Sequence, residues 1–110
     1  MKNLFHTGLE DRWNQFTLIE QMANIGAEVG RTINWRKKKN IQMSTNALYR
    51  ALELLDLTTA DTKNKNSLKE ILRVREALVD FFIGDNTYKS SDVLWEKYFY
   101  YFNLAARKNH

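Results

Sequence analysis

The residues with the clearest chemical potential are a run of cations, Arg36-Lys37-Lys38-Lys39, which follows Trp35, with Arg31 upstream. Cations at this density bind nucleic-acid phosphates, and a neighbouring indole can stack on a base. The same run is typical of a solvated helix terminus, where cations are favoured beside unpaired carbonyl groups. The nucleic-acid-binding hypothesis therefore involves five side chains: Arg31, Arg36, Lys37, Lys38 and Lys39.

The sequence contains no recognisable catalytic or metal-binding constellation. His6 and His110 are the only histidines, and near the chain ends we expect them to be solvated. Cysteine is absent, which excludes a thiolate nucleophile or metal ligand. The Glu-x-x-His element of bundle metal sites and a Gly-rich phosphate loop are also missing. We predict a non-enzymatic protein without a cofactor; an enzyme with its site assembled between subunits is a less favoured alternative.

Three charged residues are expected among apolar neighbours: Glu20, Glu28 and Arg75. Arg75 falls on the apolar face of the predicted third helix, and an unpaired buried charge would be strongly destabilising, so Arg75 requires a carboxylate. The parallel alignment of the first and third helices favours Glu28, whereas the helix face favours Glu20. The partner stays open. We interpret the group as an internal ion pair that fixes helix register, in preference to a ligand site.

Apolar periodicity predicts four helices, at about 8–39, 41–59, 67–83 and 91–107. Capping boxes at Thr7-Gly8-Leu9-Glu10 and Ser67-Leu68-Lys69-Glu70 mark the starts of the first and third helices. Residues 60–66 are polar and predict a solvated loop. Short connections and the absence of proline favour an all-α, up-down-up-down four-helix bundle with a long first helix, in a single domain over 1–110.

The long first helix, about 45 Å against about 25–28 Å for the others, should overhang the bundle. Three large apolar side chains lie on the overhang: Leu9, Trp13 and Phe16. Leaving them in water forgoes about 1.5–3 kcal/mol each. Either Leu4 and Phe5 fold back over them or a second chain covers them, and we favour the second chain. Trp95 and Phe99 on the aromatic fourth helix complete the predicted oligomer interface.

The second half of the first helix carries four small residues: Ala23, Gly26, Ala27 and Gly30. Glycine inside a helix costs about 1 kcal/mol relative to alanine, so two glycines indicate a steric reason. We predict close helix packing here, within the chain or across a symmetry axis.

One segment, Asn24-Ile25-Gly26-Ala27-Glu28-Val29-Gly30-Arg31, is followed by the Lys37-Lys38-Lys39 run and a helix ending Leu52-Glu53-Leu54-Leu55. It resembles the four-helix-bundle proteins encoded in 23S ribosomal RNA intervening sequences, which typically show Asn-Ile-Ala-Glu-Gly-aromatic-Gly-Arg. Four positions match in place: Asn24, Ile25, Gly30 and Arg31. The Ala-Glu pair is displaced by one, and the middle Gly-aromatic is missing. The resemblance implies a ring-like homo-oligomer such as a pentamer, with a positive surface; a relative that serves diversity-generating retroelements binds nucleic acid.

Composition sets the remaining expectations. A net charge of +4 and a pI near 9.4 permit an acidic partner such as RNA or DNA without requiring one. No stretch approaches the roughly 20 apolar residues that span a bilayer, and cysteine is absent, so we expect a soluble, cytoplasmic protein. We predict a homo-oligomer that binds nucleic acid weakly. The alternative is a protein-interaction module that docks a different protein through apolar surfaces of the first and fourth helices.

Overall fold

A computed structural model describes residues 6–108, with only the backbone of His6 and Thr7. This range contains five α-helices: α1 (His6–Trp13), α2 (Leu18–Lys37), α3 (Ile41–Ala60), α4 (Leu68–Phe82) and α5 (Asp92–Lys108). A 3-10 helix, Thr62–Ser67, joins α3 to α4. The all-α prediction is confirmed, since no strand occurs between residues 6 and 108. Leu4, Phe5 and His110, which entered the sequence predictions, lie outside the described residues.

The helix predicted over 8–39 is interrupted at residues 14–17, and Thr17 begins a new helix. The Thr17 hydroxyl accepts a hydrogen bond from the Glu20 N–H (3.1 Å), and the Glu20 carboxylate accepts one from the Thr17 N–H (2.9 Å). This reciprocal capping box satisfies two backbone donors at the start of α2. The single long first helix is therefore a wrong prediction, and the Thr7 capping position lies inside α1.

The second helix is central because it packs against both α3 and α5. Its apolar side chains Ile25, Val29 and Ile33 are almost fully buried. Gly26 lies directly against α5: a Cβ atom added there would be 2.7 Å from the Cβ of Phe99. The close approach that the small residues predict thus occurs within the chain at Gly26.

A buried group of polar side chains, which we call the polar junction, joins the α1–α2 break to the end of α3. The Gln21 amide nitrogen donates to the Trp13 carbonyl and to Asp61 Oδ2, both at 3.0 Å. Asn64 Nδ2 donates to Gln21 Oε1 (2.8 Å) and to the Thr58 carbonyl (3.0 Å). The indole Nε1 of Trp13 donates to Thr58 Oγ1 (3.1 Å). These bonds hold α1 against α3.

The segment 60–66, predicted to be a solvated loop, instead lies largely in the 3-10 helix and contributes buried Asp61 and Asn64. Burial by itself would raise the pKa of Asp61. Hydrogen bonds from Lys63 and Gln21 together outweigh this effect, so the pKa of Asp61 lies below its ordinary value. The capping box predicted at Ser67 is also wrong, because the Ser67 side chain makes no cap hydrogen bond.

Gly26→Ala and Gly30→Ala form a matched pair, since both place alanine within α2. The space beside Gly30 is open, so we expect Gly30→Ala to raise the free energy of unfolding by up to about 1 kcal/mol. At Gly26 the same helix-propensity gain is opposed by overpacking against Phe99, about 1–3 kcal/mol. In chemical denaturation, the free energy of unfolding of Gly30→Ala should therefore exceed that of Gly26→Ala by about 1–3 kcal/mol. Equal stabilities would contradict the close α2–α5 contact.

Candidate interaction surfaces

The predicted basic patch lies at the end of α2, where Arg36 makes structural contacts. Arg36 Nη2 is 2.9 Å from Asp92 Oδ1 at the start of α5. The guanidinium also lies over the rings of Phe81 and Phe82, 4.7 and 4.8 Å from their centroids. A half-exposed cation with a carboxylate on one side and two aromatic faces on the other stabilises the α2–α4–α5 contact. Arg36 is therefore less available to a phosphate than its sequence neighbours.

Two further cations of the patch also contact carboxylates. Arg31 Nη1 is 2.9 Å from Glu28 Oε2, and Arg50 of α3 approaches the same carboxylate at 3.6 Å. Lys37 Nζ is 4.0 Å from Glu96 Oε2, with both side chains about half exposed, so this pair is weak. These carboxylates reduce the positive charge that the bare sequence assigns to the patch.

Lys38 and Lys39 are the most available cations of the patch. Both are exposed, and neither has a carboxylate partner among residues 6–108. The Lys38 ammonium lies 5.2 Å from the centroid of the Trp35 ring, which is half-buried. Lys39 has a left-handed φ of 62° in the α2–α3 turn. The structure thus separates the five predicted cations into three that contact carboxylates and two that do not.

The charged residues predicted to be internal have other partners. Arg75 Nε donates to Asp56 Oδ1 of α3 at 2.8 Å, and the Arg75 side chain is 37% exposed. This corrects the prediction of a buried pair with Glu20 or Glu28. That prediction assumed a single long first helix, which does not exist. Glu20 instead caps the start of α2. Glu28 is buried beside Arg31.

The residues predicted to form an oligomer interface are largely covered by the chain itself. Trp13 is only 4% exposed, because the break before α2 lets α1 pack on α3. Leu9 is half-buried, and Phe16 is exposed beside Trp13, 5.8 Å between ring centroids. Trp95 and Phe99 are buried in the core. The overhang that appeared to need a second chain is therefore absent.

The opposite side of α5 carries an exposed apolar surface that we call the α5 outer face. Four large side chains surround Lys97 on it: Val93, Tyr100, Tyr101 and Leu104. Tyr100 is 55% exposed and Tyr101 is 64% exposed. At about 100° per residue, the face spans an arc of roughly 100°. The sequence prediction placed the interface of this helix on Trp95 and Phe99 and missed this surface; the spacing 93-97-100-104 was the signal that could have revealed it.

An open groove of about 670 Å³ separates α4 from α5. Tyr98 lines it and donates its hydroxyl hydrogen to Glu70 Oε2 at 3.0 Å, which links the two helices. Burial, followed by the adjacent Glu70 carboxylate, raises the pKa of Tyr98 above its ordinary value. The phenol therefore remains a hydrogen-bond donor at neutral pH.

The described residues contain no cluster of three or more His, Asp or Glu side chains suited to a metal ion. None of the helices within 6–108 is long and apolar enough to cross a membrane. Comparison with known protein families, curated proteins and solved structures finds no match. The resemblance to intervening-sequence proteins stays a prediction.

Proposed function

We propose that the protein is a non-enzymatic helical bundle that assembles with a second copy of itself through the α5 outer face. The observation that carries this proposal is the exposure of Val93, Tyr100, Tyr101 and Leu104 on one helix. Large contiguous apolar patches are uncommon on monomeric proteins and are typical of interaction sites. Tyrosine suits such a contact because it supplies a large apolar body and a hydroxyl that tolerates water.

Charge favours an antiparallel pair of α5 helices. Glu96 and Arg107 lie along the same edge of the outer face. They are eleven residues apart, and at about 100° per residue their side chains leave the helix in nearly the same direction. In a two-fold antiparallel pair, Glu96 of one copy lies level with Arg107 of the other, and Tyr101 lies close to the axis. The helix dipoles are also opposed favourably. These charges determine orientation more than affinity.

The proposed subunit is an up-down-up-down bundle formed by α2 to α5. The Arg36–Asp92 pair supports this order because it joins the end of α2 to the start of α5. The Tyr98–Glu70 hydrogen bond joins the middle of α5 to the first turn of α4. A cytoplasmic location belongs to the same proposal and rests on the absence of cysteine.

Tyr101→Asp tests the self-association, because a carboxylate on the α5 outer face, close to the level of the proposed axis, would have to be buried against the second copy. Tyr49→Asp on α3 is the matched control, since Tyr49 is also more than half exposed. Sedimentation velocity over a concentration series should show association of the parent and of Tyr49→Asp, with Tyr101→Asp monomeric. A parent chain that is monomeric throughout would contradict the proposal and favour the module that docks a different protein. Equal dissociation of both variants would contradict the α5 location.

Weak nucleic-acid binding is a second candidate function, favoured by the exposed and carboxylate-free Lys38 and Lys39. Contacts of this kind are made to phosphates, show little base preference and weaken as salt rises.

Lys38→Glu/Lys39→Glu tests this second candidate against Lys69→Glu/Arg73→Glu, which makes the same change in net charge on α4. We expect the parent to bind labelled single-stranded RNA or DNA at low salt, with a log–log salt slope of about −0.7 per phosphate contact. The first variant should lose this binding and the second retain it, as measured by fluorescence anisotropy. Absence of parent binding at low salt, or equal loss in both variants, would contradict a site at the end of α2.

A further inference from the structure

The groove between α4 and α5 has the dimensions and lining of a small-molecule site. Its volume of about 670 Å³ lies within the range of about 300–1,000 Å³ that is usual for ligand pockets. The apolar part of its wall consists of Val74, Ala77, Leu94, Trp95 and the ring of Tyr98. Its lining includes neither the carboxylate-paired Arg36 nor the four apolar side chains of the α5 outer face.

The rim of the groove on α4 carries a net positive charge. Lys69 and Arg73 lie one helical turn apart, so their side chains are neighbours. Neither forms an ion pair with a carboxylate in the described part of the chain. Glu70 lies between them in sequence and accepts the Tyr98 hydroxyl. Two cations and one carboxylate leave one positive charge, which a single anionic group would balance.

The wall also contains a polar group without a partner. Trp95 is 7% exposed, and its Nε1 atom is buried with no hydrogen-bond acceptor among the described residues. Native proteins satisfy the great majority of buried donors, so this indole N–H is an unusual one. The Trp95 side chain lines the groove while its Nε1 atom has almost no exposed surface, so a ligand contacts the ring, and the indole signal reports what binds there.

We propose that the α4–α5 groove binds a small amphipathic monocarboxylate. Its apolar tail packs on Val74, Ala77 and the Trp95 indole, and its carboxylate lies between Lys69 and Arg73. A carboxylate is the matching anion because its one charge equals the net charge of the rim, and an Arg or Lys donor makes a charge-assisted hydrogen bond to it. The apolar part of the wall favours an amphipathic ligand over a fully polar anion.

Titration with monomeric octanoate, below its micelle concentration, tests this site. The indole N–H signals of the three tryptophans can be followed by NMR, with the Trp95 signal assigned from Trp95→Phe. Octanoate should shift the Trp95 signal and leave those of Trp13 and Trp35 in place. 1-Octanol, which has the same tail and no charge, should bind more weakly.

Lys69→Gln/Arg73→Gln should weaken octanoate binding about tenfold through loss of the charge-assisted contacts. Lys38→Gln/Lys39→Gln is the charge-matched control and should bind as the parent does. Both pairs are exposed, so folding is expected to survive and can be verified from the same spectra. The proposal is overturned if the Trp95 signal does not move, if octanol binds as tightly as octanoate, or if the two double variants bind alike. None of these results depends on whether α5 pairs with a second copy.

Discussion

The hydrogen bonds of the Gln21 amide are the constraint on which the rest of the structure depends. Its nitrogen contacts the Trp13 carbonyl and Asp61, and its oxygen accepts from Asn64, all in a site closed to water. A buried polar group left without a partner costs about 1–3 kcal/mol, so α1, α2 and the end of α3 must meet in one arrangement. That arrangement buries Trp13, which the single long first helix would have left on an uncovered overhang.

The amphipathic helices were predictable from sequence. Periodicity places α3, α4 and α5 within one or two residues of their observed bounds, because each has one apolar stripe. The break before α2 was missed because apolar residues continue on both sides of it, although Thr17-Leu18-Ile19-Glu20 is itself a capping box. The polar junction was beyond the sequence argument, since Trp13 and Thr58 are 45 positions apart.

The interaction surfaces were only partly predictable, because they too depend on contacts between residues far apart in the sequence. A cationic run is visible in sequence, but the Asp92 carboxylate that pairs with Arg36 comes from a helix 56 positions away. On α5, aromatic residues occur on both sides of the helix, and only the position of α2 decides which side is buried. Gly26 determines which side is buried, because it lets α5 approach α2 closely with Phe99 facing inward. Tyr100 and Tyr101 are left facing outward.

Cysteine crosslinking tests the antiparallel α5 pair most directly, because the natural chain has no cysteine to compete. Tyr101 lies close to the proposed two-fold axis, so two copies of Tyr101→Cys should reach disulfide distance. The two Val93 positions would be about 25 Å apart along the helices, too far to be bridged. The account predicts a disulfide-linked dimer for Tyr101→Cys and none for Val93→Cys under the same mild oxidation. Crosslinking of Val93→Cys alone, or of neither variant, would contradict it.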